Sequence, residues 1–195
     1  MTPFSIRRRA RALAGKAIEV VLGPPPAPPR ATQKPAENAT KRSWELSSQA
    51  ELIDHIVSHY HANLRRDLPA LVDAAVRLER EEAQHPDLPR GLADELSTLS
   101  AELIAHMNGE EDLLFPSLRS GARGGPLTMQ IRMMERDHTT HAASLTRIRA
   151  LTANLTAPAG ASPTWTKLYA DLGALEADLR QHVYLEDGIL FARAS

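Results

Sequence analysis

Leu92, Leu96, Leu99, Leu103, His106, Glu110 and Leu113 follow one another at steps of four and three, and so do Leu168, Leu172, Leu175, Leu179, His182, Glu186 and Ile189. Such steps keep side chains on one stripe of an α-helix, and an apolar stripe of this kind faces a helical partner. Each series follows four leucines with a histidine and a glutamate one turn apart, inside a predicted core. The two series stay 76 residues apart, and their tails match as LLF at 113–115 and ILF at 189–191. A buried carboxylate without a partner is costly, so the pattern calls for something positive between the helices.

Two more stripes complete the set. Ile53, Val57, His61, Leu64, Leu68 and Leu71 predict a first helix, bent at Pro69. Ile131, Met134, His138, His141, Leu145 and Ile148 predict a third. Ser48 and Glu51 have the spacing of a capping box at the start of the first helix. Pro86 closes that segment and Pro89 is placed to open helix two, which runs to about Leu118. The loop SGARGGP leads to helix three, and Ser162 with Pro163 starts helix four as N-cap and first helical residue. Four long helices with short connections predict an all-α, up-down-up-down four-helix bundle. The 76-residue repeat covers only two of the helices, which excludes a solenoid.

The pattern divides the chain into three segments. Residues 1–22 carry Arg7, Arg8, Arg9 and Arg11 and read as a short basic amphipathic helix; Lys16 and Glu19 break the apolar stretch that a secretory leader needs. Residues 23–45 form a proline-rich linker. Residues 46–195 form the bundle domain.

Composition narrows the chemistry. Of 195 residues, 43% are hydrophobic and only 4% aromatic, which supports a helical core built on leucine and alanine. A net charge of -1 gives no electrostatic basis for nucleic acid as the main partner. The absence of cysteine removes disulfides, thiolate metal sites and cysteine nucleophiles together. No apolar run approaches the length of a membrane span, and a cytoplasmic location is expected.

Placed side by side, the four stripes offer His61, His106 with Glu110, His138, and His182 with Glu186. Four imidazoles and two carboxylates suit a pair of first-row metal ions bridged by the carboxylates, with iron ahead of manganese or zinc in a site without sulfur. A structural zinc needs only four ligands, usually with cysteine among them. A carboxylate-rich ferritin-like site would place Glu-x-x-His on two helices and lone glutamates on the others. Glu135–His138 and Glu82–His85 have that spacing, but the second pair lies at a helix end, and core-register glutamates are too few. Taken singly, a histidine is more often structural or exposed than a ligand, and His55, His59 and His85 are read so. His141, one turn from His138, can be a ligand, a support to a ligand or a core histidine, and the last two are preferred. Glu102 and Asp137 are read as orienting a ligand, as lining an entry path or as ordinary exposed acids.

The segments ELIDHIVSHYHANLRRDLPAL, HMNGEEDLLFPSLRSG, MMERDHTTH and WTKLYADLGALEADLRQHVYLEDGILFARA resemble the hemerythrin-like domain of the repair-of-iron-centres family, the YtfE and ScdA type of di-iron protein. The resemblance covers residues from about 46 to 195. It implies the ligands His61, His106, Glu110, His138, His182 and Glu186, holding two non-haem iron ions joined by the glutamates and an oxo or hydroxo group. By analogy His61 and His106 would serve one iron, and His138 and His182 the other. It further implies recovery of iron–sulfur proteins damaged by nitric oxide or oxidative stress, with those proteins as partners and oxygen or nitric oxide as small ligands. Relatives commonly carry an N-terminal domain with a cysteine pair, which this sequence replaces with the basic segment and linker. Some have histidine where Glu82 stands, and oxygen carriers have histidine where Ala142 stands, which disfavours simple oxygen carriage. An oxygen- or nitric-oxide-sensing module, or an enzyme reducing nitric oxide or peroxide, would need the same ligands.

Overall fold

The computed structural model describes residues 44–194. The readings of residues 1–22, and of the linker as far as residue 43, lie outside the described residues. Four helices make up the described chain. Helix α1 (residues 49–81) joins α-helical Gln49–His55 to α-helical Ala62–Glu81 through a π-helical turn, Ile56–His61. Helix α2 (92–119) has α-helical Leu92–Gly109, a π turn Glu110–Leu114 and α-helical Phe115–Arg119. Helix α3, Gly125–Leu151, is α-helical throughout. Helix α4 (163–194) has α-helical Pro163–Leu185, a π turn Glu186–Leu190 and α-helical Phe191–Ala194. Together they form a four-helix bundle in which α1 packs against α2 and α4, and α3 against α2.

The ends are set by local chemistry. Ser48 Oγ accepts from Glu51 N at 3.2 Å while Glu51 Oε2 accepts from Ser48 N at 3.0 Å, a complete capping box. Ser162 caps α4 by accepting from the backbone N–H of Trp165, with Pro163 as the first helical residue. Helix α2 begins later than Pro89 predicts. Pro89 lies in the preceding turn, its carbonyl accepts from Leu92 N, and Gly91 at φ 88° makes the left-handed entry. Pro69 sits inside α1 without ending it.

The π turns shift the apolar register. In α2 the backbone N–H of Phe115 bonds to the carbonyl of Glu110, and in α4 that of Phe191 bonds to Glu186, each spanning five residues rather than four. The extra residue rotates the rest of the helix about its axis. In α2, Leu113, predicted for the core, is 61% exposed and Leu114 is fully buried in its place, whereas in α4 the predicted Ile189 stays buried beside Leu190. In α1 the same shift leaves Val57 half-buried and puts Ile56 and Tyr60 in the core. Helix α3 has no π turn, and there Ile131, Met134, His138, His141, Leu145 and Ile148 are all buried.

Two apolar clusters fill the bundle. One is leucine-rich and runs from Leu64 and Leu68 through Leu96 and Leu103 to Leu179 and Trp165. The other gathers Leu52, Ile56, Leu114, Phe115, Ile131, Leu190 and Phe191. Each fully buried leucine contributes roughly 1.5–3 kcal/mol. His61, Glu110, His138 and Glu186 lie on their helices where one cluster gives way to the other, so a polar layer crosses the bundle between two greasy ends.

Candidate metal centre

All six residues singled out from the stripes are buried in that layer: His61, Glu110 and Glu186 are fully covered, and His106, His138 and His182 are at most 4% exposed. The π turns help to place them. His61 closes the turn in α1, while Glu110 and Glu186 open those in α2 and α4. Their ligand atoms form two clusters, His61–Glu110–His182–Glu186 and His106–Glu110–His138–Glu186, each with its atoms within 4.8 Å of one another. Both glutamates belong to both clusters. The pairing implied by analogy is therefore corrected: His61 sits with His182 and His106 with His138, because α1 packs against α4 as well as α2.

The inward atoms are imidazole nitrogens and carboxylate oxygens. His61 Nε2 lies 3.2 Å from His182 Nε2, and His138 Nε2 lies 3.1 Å from His106 Nε2. Glu186 faces both ways, with Oε1 2.7 Å from His182 Nε2 and Oε2 3.2 Å from His138 Nε2. Glu110 Oε2 lies 3.3 Å from His61 Nε2 and 3.5 Å from His106 Nε2. Close as these are, none of the four carboxylate oxygens receives a well-formed hydrogen bond.

The outer nitrogens explain the orientation. His61 Nδ1 donates to Glu111 at 2.7 Å, and His138 Nδ1 donates to Asp187 at 3.0 Å. His106 Nδ1 lies 3.4 Å from Asp137. A carboxylate on Nδ1 holds the proton there and leaves Nε2 with its lone pair free for a metal. Arg65 in turn bonds Glu111 at 2.7 Å. Of the two acids that the sequence offers as supports, Asp137 therefore assists His106, while Glu102 joins neither cluster. Glu111 and Asp187 escape the stripe reading altogether. Their signal is nonetheless present, since they occupy the same place in the two repeats, directly after Glu110 and Glu186.

Charge makes the same point. Glu176 is another buried acid, 3% exposed, but Arg149 at 2.7 Å and Arg180 at 2.7 Å balance it. Among the described residues, no arginine or lysine pairs with Glu110 or Glu186. Burial and the charge of Glu186 push the Glu110 carboxyl well above the usual range. Burial works against Glu186 too, but His182, His138 and His61 hold it well below that range. Burial would lower His61, yet Glu110 and Glu186 raise it to about 10. Two acids that repel each other and lack hydrogen bonds fit a cation. Histidine nitrogens with carboxylates and no sulfur fit two non-haem iron ions, one to each cluster.

The remaining histidines lie elsewhere. His141 is buried with its ring edge-on to His106 at 5.1 Å, and burial, then His106 and His138, lower it to about 3. His55 stacks on Trp44 at 4.3 Å, His59 is exposed, and His85 meets Trp165 edge-on at 5.0 Å.

Comparison with known proteins agrees with the geometry. Residues 52–194 match the family model described as the hemerythrin HHE cation binding domain. The chain is similar to proteins named iron–sulfur cluster repair protein YtfE from Citrobacter koseri, Salmonella paratyphi B and Salmonella newport. Each is 38% identical over 159 residues, which is 82% of this chain and 72% of the relative. With a family match across all four helices and both His–Glu pairs, the chain belongs to the hemerythrin HHE cation-binding family.

Proposed function

We propose that this protein is a non-haem di-iron protein that takes part in repairing iron–sulfur clusters damaged by nitric oxide or oxidative stress. The observation that carries the reading is the pair of buried glutamates, paired with no arginine or lysine among the described residues, shared between two buried histidine pairs. The relatives named for cluster repair supply the biological direction. His61 and His182 would hold one iron, His106 and His138 the other, with Glu110 and Glu186 between them. The bound iron supplies a reservoir for transfer and a centre that reacts with nitric oxide. The protein's own part is to turn Nε2 of the imidazoles toward the layer, through Glu111, Asp187 and Asp137 on Nδ1 at three of them, and to shield the layer from bulk water with apolar packing on both sides.

Damaged iron–sulfur proteins are the proposed partners and the cytoplasm the proposed location. No helix among the described residues is long and apolar enough to cross a membrane. The test is anaerobic incubation of the iron-loaded protein with a nitric-oxide-damaged iron–sulfur enzyme, following reactivation and iron transfer together. Both should occur, and Glu186→Ala should abolish both. An enzyme that stays inactive while the protein keeps its iron overturns the repair reading.

One observation favours a second reading, a module that binds oxygen or nitric oxide. A cavity of about 20 Å³ beside His106, His138 and His141 is lined by Leu103, Ala142 and Leu145. It is apolar and large enough only for a water-sized molecule. Tight iron with reversible gas binding and no iron transfer would support that reading instead.

A further inference from the structure

Each imidazole of the metal layer has an aromatic ring against it from outside the ligand set. Phe115 stacks on His61 at 5.8 Å, and Phe191 on His138 at 6.3 Å. His141 meets His106 edge-on at 5.1 Å. Tyr60 stacks on His182 at 5.3 Å, with the two planes 4° apart. All four separations are those of rings in direct contact. His106 and His182 hold equivalent places in the 76-residue repeat, yet one is flanked by an imidazole and the other by a phenol.

That phenol differs chemically from the other three rings. It can give up one electron together with its hydroxyl proton, whereas a phenylalanine ring or a neutral imidazole is far harder to oxidise. The chain has three tyrosines and two tryptophans. Among the described residues, Tyr60 is the one of these five rings that stacks on a ligand. Trp44 stacks on His55, Trp165 and Tyr169 pack in the leucine-rich cluster, and Tyr184 is largely exposed. Tyr60 is itself 8% exposed, packed in the other apolar cluster, and it lines one end of a groove of about 490 Å³ between α1 and α4. It thus has the metal layer on one side and a surface groove on the other.

Hydrogen peroxide needs two electrons to become water. Two iron(II) ions supply both, but a single iron(II) supplies one, and peroxide then yields water and a hydroxyl radical. A protein that hands its iron on passes through a state with one ion, so the inference rests on the di-iron repair reading. We propose that Tyr60 is a redox residue that supplies the second electron when peroxide meets the half-loaded centre. The O–O bond of one peroxide breaks and two waters form. One iron(II) becomes iron(III), Tyr60 loses an electron and its hydroxyl proton to become the neutral tyrosyl radical, and one further proton comes from solvent. A hydrogen-atom donor such as a thiol, arriving at the groove end, then returns electron and proton to Tyr60 and is left as the thiyl radical.

The full-length protein is loaded anaerobically with one iron(II) per chain, desalted and assayed for iron. It is then mixed with hydrogen peroxide and frozen for electron paramagnetic resonance, with a parallel sample spin-trapped for hydroxyl radical. The native protein should give a tyrosyl signal. Tyr60→Phe, which keeps the stacked ring, should hold the same iron, lose the signal and release several-fold more trapped hydroxyl radical. Tyr169→Phe and Tyr184→Phe should behave as native. The native signal should shrink when two irons are loaded, since the second ion then supplies the electron. A signal that persists in Tyr60→Phe would overturn the proposal. So would an iron-loaded native protein that gives no tyrosyl signal and as much hydroxyl radical as Tyr60→Phe, with the di-iron reading left intact. A native protein that retains no iron would overturn that reading and the proposal with it.

Discussion

Glu111 on α2 holds His61 on α1 through a 2.7 Å bond to Nδ1, from the side of the ring away from the metal layer. Its neighbour Glu110 faces the same ring from inside. Under the proposed assignment, adjacent acids divide two tasks, one as a metal ligand and one as the support that orients the ring. Replacing Glu111 by Ala should weaken iron binding by about 10–100-fold, the usual cost of losing such a support. Competition with a chelator of known affinity reads the change. An unchanged affinity would mean that packing alone orients His61.

Neutralising Glu110 should have opposite effects with and without metal. Glu110→Gln removes one of two repelling buried carboxylates, so the iron-free variant should melt above the iron-free native protein. The same variant should gain less from added iron(II), because the donor proposed to join the two ions has lost its charge. Glu176→Ala should differ, since it strands Arg149 and Arg180 and should cost about 3 kcal/mol. Thermal unfolding of the three proteins, each with and without iron(II), checks all of this. A native protein that melts above Glu110→Gln when iron-free would contradict the charge argument.

The π turn in α2 separates two neighbouring leucines. Leu114→Ala opens a cavity in a closed core and should destabilise by about 2–5 kcal/mol. Leu113→Ala, at an exposed position, should change stability by less than about 0.5 kcal/mol. Urea unfolding distinguishes them, and a larger loss at Leu113 would restore the uninterrupted seven-residue register.

That pair also marks where the sequence stops being readable. The stripe in α3 is correct from Ile131 to Ile148 because nothing interrupts its α-helical turn. In α2 the reading holds as far as Glu110 and then slips at Leu113, since no residue type announces the extra residue of a π turn. The six site residues are legible because leucine-bearing stripes make a buried histidine or glutamate conspicuous. Glu111 and Asp187 are not, since acids next to a core position usually face water; only their recurrence at the 76-residue step sets them apart. The partnership of His61 with His182 depends on which helices are neighbours around the layer, and a one-dimensional pattern does not carry that order.

His141 should set part of the acid sensitivity of the iron-free protein. The unfolded chain takes up its proton near pH 6.5, whereas burial and the nearby His106 and His138 hold the folded ring neutral down to about pH 3. Between those values the unfolded state binds more protons, so stability falls as pH falls from 6.5 towards 3. His141→Leu should flatten this slope, read from urea midpoints between about pH 7 and about pH 4. An identical slope in the variant would place the acid sensitivity in other groups.

Iron stoichiometry tests the central claim most directly. The native protein, reconstituted anaerobically with iron(II) and desalted, should hold two irons per chain by metal analysis. Glu110→Ala and Glu186→Ala should each hold fewer, while His55→Ala and His85→Ala should keep both, since neither histidine lies in the two clusters. Two irons retained in both glutamate variants, or iron lost on replacing His55 or His85, would contradict the assignment of the site.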